Sequence, residues 1–405
     1  MSPKRVLLHV GTPKTGTSYL QDVLFRNRDR LAGQGVLYPA DRFDGHFLAA
    51  LDLMRLPWGG LETQAVGAWD ALAKKVRGWN GESAIISHEI LATASRTQVR
   101  RALESLGHPG TEVHVVLSVR DLVRQIPAEW QENVKHRRTV RYSSFLEQIR
   151  APERNGRLAT WFWGVQEVPD ILDRWAAELD PSRVHLVTVP RPGAPQTLLW
   201  ERFAAVFGLD QLTLDLHAER ANPSLGVPET ALVRRINKAA NDVVEPSDYR
   251  PLVRELVAHQ TLSQRSGSPR LSVPPDVWTW ADHLSRRWVE ELRKRGYDVV
   301  GDLDELLPEP VAVPFSDPDH PRERDVSEAA VDAIKALLVE NSRQRKVEDD
   351  LRAQLRETQL ALERSYLRPT YRAREKIVRS AEEKGWGRTL MRAYRRARGR
   401  SSLSA

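Results

Sequence analysis

The chain has 405 residues, 41% of them apolar and 28% charged, the make-up of a globular protein of one large domain or two ordinary ones. It contains no cysteine, which excludes disulfides, thiolate-bound zinc and thiol catalysis, and no apolar run nears the ~20 residues of a membrane helix. The net charge of +7 belongs to the end of the chain: from Tyr366 onward 12 Lys and Arg face 3 Asp and Glu, so the rest is slightly acidic and nucleic acid is not an expected partner.

Val6-Leu7-Leu8-His9-Val10 is apolar and β-branched enough for a buried strand. It breaks into a loop in which Gly11 and Gly16 permit backbone geometry closed to side chains. Thr17 and Ser18 then open a helix with apolar residues at Tyr19, Leu20, Val23, Leu24 and Leu31. Residues 35–39 predict a short strand closed by Pro39. Helices are expected over 43–56, from near His46, and over 72–76. A second buried strand, 83–87, ends at His88-Glu89 and is followed by a basic amphipathic helix over 97–106. A third, 113–119, ends at Arg120-Asp121, and a fourth, 184–189, precedes a helix over 196–207 with Gly208 as its stop. This alternation predicts an α/β fold, a mostly parallel sheet with helices on both faces in three layers. Functional residues then gather beyond the C-terminal ends of strands, where Lys14, His88 and Arg120 all lie.

Residues 227–285 read as largely helical, with Trp278, Trp280 and Trp288 as packing anchors, and the first domain is expected to span 1–308. Residues 309–325, rich in Pro, Asp and Arg, predict a linker. Between 326 and 362 there is no Pro or Gly, and Ile334, Leu337, Asn341, Leu351, Leu355 and Leu362 share one heptad frame, interrupted at Gln344 and Glu348. Residues 326–365 are therefore expected to form a long helix, either solvated alone or paired with a second copy as a coiled coil. Residues 366–405 interleave Tyr366, Leu367, Tyr371, Ile377, Val378 and Trp386 with arginines. That pattern suits an anionic membrane surface or another polyanion, or simply a basic tail. A first strand starting at Val6 predicts no secretory leader, and with no cysteine the expected compartment is the cytoplasm, peripheral to the inner membrane face where the tail binds.

The loop from Gly11 to Ser18 joins a strand to a helix N-terminus, an arrangement that aims backbone N–H groups and the helix dipole at an anion. The nucleotide triphosphatase pattern G-x-x-x-x-G-K-[ST] fits at Gly11, Gly16 and Ser18, but Thr17 stands in place of its lysine. Lys14 lies instead in the middle of the loop, over the anion.

Pro13-Lys14-Thr15-Gly16-Thr17-Ser18, with Leu117-Ser118-Val119-Arg120-Asp121 and Ser87-His88-Glu89, resembles the sulfotransferases of bacterial type that use 3′-phosphoadenosine-5′-phosphosulfate (PAPS), over about residues 1–308. The resemblance implies a P-loop-like domain with PAPS as co-substrate and no metal. Residues Pro13 to Ser18 would form the 5′-phosphosulfate loop, with the hydroxyls of Thr15, Thr17 and Ser18 joining its amides, and Arg120 would hold the 3′-phosphate. Lys14 would stabilise the charge building on the oxygen between sulfur and phosphate, a charge larger in the transition state than in the ground state. Among groups able to take the acceptor's proton, His88 comes first, since imidazole titrates near working pH, Glu89 second, and His46 behind them. On an extended strand end His88 and Glu89 would point opposite ways, so only one is expected to face the acceptor.

The acceptor implied is a small molecule or glycan, a hydroxyl of a carbohydrate or glycosylated metabolite, and the tryptophans over 161–175 serve either it or the core. Ala128 stands where the family places a serine eight residues after the arginine, so either other groups, Arg124 among them, would hold the 3′-phosphate or affinity for PAPS would be reduced, and the resemblance would put Asn222 in a later cofactor loop. A P-loop kinase or NTPase and a scaffold with a decayed site are the alternative readings.

Overall fold

The computed structural model describes residues 4–217, 224–310 and 314–367, with single positions at Pro369, Ala373, Lys376 and Arg379. The strands β1 (Arg5–His9), β2 (Val36–Leu37), β3 (Ser83–Ser87), β4 (Glu112–Val119), β5 (Val184–Thr188) and β6 (Asp298–Val300) form one sheet. All are parallel, in the order β2-β3-β1-β4-β5-β6. Side chains alternate between its faces, and both faces are buried. Val6 and Leu8, Ala84 and Ile86, and Val115 and Leu117 enter one core with Trp69, Trp130 and Trp175. Leu7, Ile85, Val116 and Val187 enter a second, closed by helices Thr17–Arg26 and Leu198–Phe207 through Leu20, Val23, Leu24, Phe203 and Phe207. The result is the expected three-layer α/β fold, followed by a long C-terminal helix, Glu323–Leu367.

The strand order reverses at β1: the chain goes from it toward β2 and β3 on one side, then to β4, β5 and β6 on the other. A crevice opens at such a reversal beyond the C-terminal strand ends. The loop after β1, His88 after β3 and Arg120 after β4 leave three adjacent strands at that point.

Two compact units, 1–334 and 335–405, make up the chain. The first extends past Pro308 because residues after it are packed. Asp319 accepts the N–H groups of Tyr142 and Ser143 at 3.0 and 2.9 Å, filling the N-terminus of helix Tyr142–Arg150, and pairs with Arg234 at 3.4 Å. Phe315 packs on the main core, and Val326, Ala329 and Ala333 are buried within it. The long helix thus starts three residues before 326, inside the segment expected as a linker. Beyond residue 335 it exposes Leu337, Val347, Leu351, Leu355 and Leu362. No helix among the described residues is long and apolar enough to cross a membrane. The expected surface-binding tail, apart from Tyr366, Leu367 and the four single positions, lies outside the described residues, as does Asn222.

The side chains of Arg234 and Asp319 are only 7% and 2% exposed, so removing one strands the other's charge in the protein. Asp319→Ala is expected to cost about 3–5 kcal/mol in urea unfolding of the full chain. A loss below about 1 kcal/mol, the size of an exposed pair, would show that this segment is a loose linker.

Candidate functional site at the strand ends

The loop after β1 is folded against β4. Thr12 N–H donates to Ser118 O at 2.8 Å, and Ser118 N–H donates back to Gly11 O at 2.6 Å, so strand pairing continues past the end of β1. The Ser118 hydroxyl lies 2.6 Å from Thr15 Oγ1, 2.9 Å from Gly11 O and 3.0 Å from His9 Nε2. Thr15 Oγ1 also donates to Thr12 O at 2.6 Å and is fully buried. Its hydroxyl therefore serves the loop's own fold and does not face the anion position. Gly11 has φ +128°, and a Cβ there would meet Glu89 O at 2.9 Å. Lys14 adopts φ +64°, a left-handed conformation that costs a non-glycine residue free energy. Gly16, also left-handed, precedes Thr17 without any side-chain cap, leaving the first amides of the helix to an outside acceptor. Thr17 is buried and Ser18 half-buried.

Arg120 leaves the end of β4. Its Nη2 donates to Arg124 O at 2.9 Å, while its buried Nε has no partner among the described residues. Burial, with the nearby Arg124 charge, pushes its guanidinium down to about 10 despite Asp121 and Glu129. Such a cation is suited to an anion that arrives from outside. Arg124 is not spare: it pairs with Asp121 and donates to Pro190 O at 3.0 Å. Asp121 in turn caps helix Leu122–Lys135 through Arg124 N–H at 2.9 Å. This carboxylate is thereby committed to the helix start.

His88 and Glu89 sit together, against the alternation expected of a strand. The chain turns into a 3₁₀ turn at Glu89, and His88 Nδ1 ends 4.0 Å from Glu89 Oε2. His88 Nδ1 accepts the Ile90 N–H at 3.3 Å, which leaves the ring proton on Nε2, and its ring stacks on Phe47. Burial lowers its pKa, against the pull of Glu89. For Glu89 burial acts upward, but His88, the Gln21 amide at 3.0 Å and Lys14 outweigh it and hold the carboxyl below its usual range. His46 is a packing residue: it is 3% exposed, accepts Ser87 N–H at 3.2 Å, lies against Tyr38, and burial takes it down to about 3.

One face of helix Leu122–Lys135 supplies groups that the sequence reading passed over. Gln125, Glu129 and Glu132, with His136 just beyond, recur at helical spacing. Glu132 Oε2 takes Lys14 Nζ at 2.6 Å, and its Oε1 takes His136 at 3.0 Å and Arg254 at 3.2 Å. Burial acts to raise this carboxyl, yet Lys14, His136 and Arg254 hold it well below the usual carboxylate range. Gln125 donates to Pro13 O and to Gln166 Oε1, both at 2.8 Å, and Gln166 donates to Glu129 at 3.1 Å. Glu129 is 3% exposed, and burial pushes it up to about 7 although Lys14, Gln166 and Arg120 all act downward. Ala128, in the same helix, offers no polar group.

A cleft of about 460 Å³ lined by Leu51, Arg55, Pro57, Glu62 and Arg101 includes none of these residues. Among the described residues no three His, Asp or Glu side chains gather to hold a metal ion. No family model, curated protein or solved structure matches the chain.

Because the folded pKa of Glu129 lies above the ordinary carboxylate value, the folded state keeps a proton that the unfolded chain loses between pH 4.5 and about 7. Stability contributed by this group therefore falls as pH rises across that interval. Glu129→Gln is expected to flatten the slope and leave the protein on the order of 2 kcal/mol more stable than wild type at pH 8, read from urea midpoints. An unchanged slope would mean that Glu129 is ionised in the folded protein.

Proposed function

We propose that the chain is a PAPS-dependent sulfotransferase that delivers the sulfuryl group to a hydroxyl acceptor. The observation that carries this reading is the pairing of two anion-seeking ends on neighbouring strands. One is the uncapped helix start with Lys14 raised beside it; the other is Arg120, with a buried Nε that no protein group satisfies. A ligand with a phosphosulfate at one end and a phosphate at the other meets both.

The amides at Gly16 to Ser18 and the Ser18 hydroxyl bind the 5′-phosphate, and Arg120 binds the 3′-phosphate. Lys14, which pairs with Glu132 at 2.6 Å, turns to the oxygen bridging phosphorus and sulfur. As the acceptor oxygen bonds to sulfur, the bond from sulfur to that bridging oxygen breaks. The electron pair stays on the phosphate, where Lys14 stabilises it. The acceptor's proton goes to Glu89. This carboxylate is ionised at neutral pH, whereas the lone pair of His88 Nδ1 is already engaged by Ile90 N–H. His88 then donates from Nε2 to orient the acceptor. A kinase or NTPase reading lacks the lysine at position 17 and has Asp121 tied into a helix cap instead of available for magnesium.

Titration calorimetry with 3′-phosphoadenosine-5′-phosphate is expected to show saturable binding, weakened about 10- to 100-fold by Arg120→Ala. Turnover with PAPS is expected to fall about 10²–10³-fold in Lys14→Ala. It should fall about 10²–10⁴-fold in Glu89→Gln with nucleotide affinity unchanged. Absence of nucleotide binding by the wild-type chain sinks the proposal, and a larger loss in His88→Asn than in Glu89→Gln transfers the base role to His88.

A further inference from the structure

At the N-terminal ends of β4, β5 and β6, the edge of the sheet opposite to Lys14 and Arg120, four titratable side chains form one hydrogen-bonded line. Glu112 Oε1 lies 2.7 Å from His114 Nε2, His114 Nδ1 lies 2.8 Å from His185 Nε2, and His185 Nδ1 lies 2.7 Å from Asp298 Oδ2. The strand register produces this line. His185 stands opposite Asp298 on β6 and opposite Val116 on β4, while His114 and Glu112 share the face of Val116 at two-residue steps. The two imidazoles are inclined by only 16°, with centroids 5.1 Å apart. With their nitrogens at 2.8 Å, that separation sets the rings edge to edge in nearly one plane. This is the arrangement of an N–H···N hydrogen bond and not of face-to-face stacking.

Each of the three contacts joins two atoms that carry lone pairs, so each needs one proton between them. Two neutral imidazoles bring only two protons, and ionised carboxylates bring none. A third proton is therefore required. Asp298 is 50% exposed, and a carboxyl in water gives up its proton far more readily than an imidazolium, so the third sits on a ring. Burial, together with the facing His185, lowers the pKa of His114 despite Glu112. Glu112 is held below the usual carboxylate range chiefly by its bond from His114, which places the single proton of that ring on Nε2. His185 is then the ring with both nitrogens protonated, donating to His114 Nδ1 on one side and to Asp298 on the other. Arg5 acts on both Glu112 and His114, and Arg183 acts on Glu112.

We propose that the folded chain keeps this third proton in the line Glu112–His114–His185–Asp298, with His185 as an imidazolium, and that it clasps the edge strand β6 to the sheet as a pH-sensitive fastening. β6 ends the sheet and pairs with β5 over three residues, so the side-chain line adds to a short backbone ladder. When the proton leaves, two lone pairs face each other at one of the three contacts and the fastening loosens. Imidazoles of the unfolded chain lose their charge above about pH 6.5. The folded chain then binds one proton more than the unfolded one, and the stability contributed by the line falls as pH rises further. The device does not depend on the sulfotransferase reading.

NMR of the full chain, labelled with nitrogen-15 at histidine, tests this directly. Scalar coupling between the two ring nitrogens across the shared proton identifies the pair among the 11 histidines without any variant. At about pH 7.5 the pair is expected to carry three protonated nitrogens, both on His185 and only Nε2 on His114. Loss of the third proton at higher pH should coincide with amide exchange in residues 298–300 that accelerates more than the rise in hydroxide alone produces. In urea unfolding, His185→Gln supplies an amide that donates to Asp298 without an added proton. Above about pH 6.5 the folding constant of the wild type should fall faster with pH than that of this variant, by at most about tenfold per pH unit, and the comparison cancels the contribution of Glu129. Two protonated nitrogens on the pair at pH 7.5, or no coupling between the rings, overturns the proposal on the wild-type chain alone, whether or not the variant folds. Equal slopes in the two proteins, or exchange in residues 298–300 that ignores the loss of the proton, overturns the clasp.

Discussion

Three strand ends meet at Gly11, and the absence of a side chain there decides where the chemistry-bearing groups go. From one side Ser118 of β4 exchanges backbone hydrogen bonds with Gly11 and Thr12; from the other the carbonyl of Glu89, just after β3, lies where a Cβ would sit. The loop cannot continue as strand between these two walls, so it rises from the sheet and returns at Gly16 into a helix. Lys14 occupies the crest in a left-handed conformation that only a well-held loop maintains. Arg120 follows Ser118 by two residues and Glu89 is the residue touching Gly11. The same contact that shapes the loop therefore sets the spacing between the lysine, the arginine and the carboxylate.

Charge around Lys14 is largely paired within the protein. Lys14, His136 and Arg254 surround Glu132, and that arrangement lets a half-buried lysine and a carboxylate share a low-dielectric place without either being left alone. Lys14 bonds to Oε2 of Glu132, while His136 and Arg254 bond to Oε1, so the two carboxylate oxygens have separate partners. Glu129 has no such partners within bonding distance and receives only the Gln166 amide. Burial raises this carboxyl to about 7, so it takes up a proton far more readily than an exposed glutamate.

The strands of the sheet were legible because their residues are apolar on both faces, and β1, β3, β4 and β5 stand where their apolar runs put them. β6 was not, since Asp298-Val299-Val300 is three residues at a sheet edge and exists only by pairing with β5. Residues 309–325 read as linker from their prolines and charges, yet Asp319 is buried by a partner 85 positions away, Arg234, which no local pattern announces. The glutamates facing Lys14 had a signal that went unused: Gln125, Glu129, Glu132 and His136 make one polar stripe on a helix that begins at a strand end.

The pairing of His88 with Glu89 shows how a small backbone change alters the chemistry available. Had β3 run on for two residues, alternation would have sent one of these side chains to the opposite face. The turn beginning at Glu89 brings them within 4.0 Å and spends the His88 Nδ1 lone pair on the turn's own amide. An imidazole fixed in this way carries its proton on Nε2 and has its Nδ1 lone pair engaged. The carboxylate beside it, kept ionised by His88, Gln21 and Lys14, has lone pairs to accept with. The geometry of one turn thus gives two adjacent residues different hydrogen-bonding capacities, one a donor and the other an acceptor.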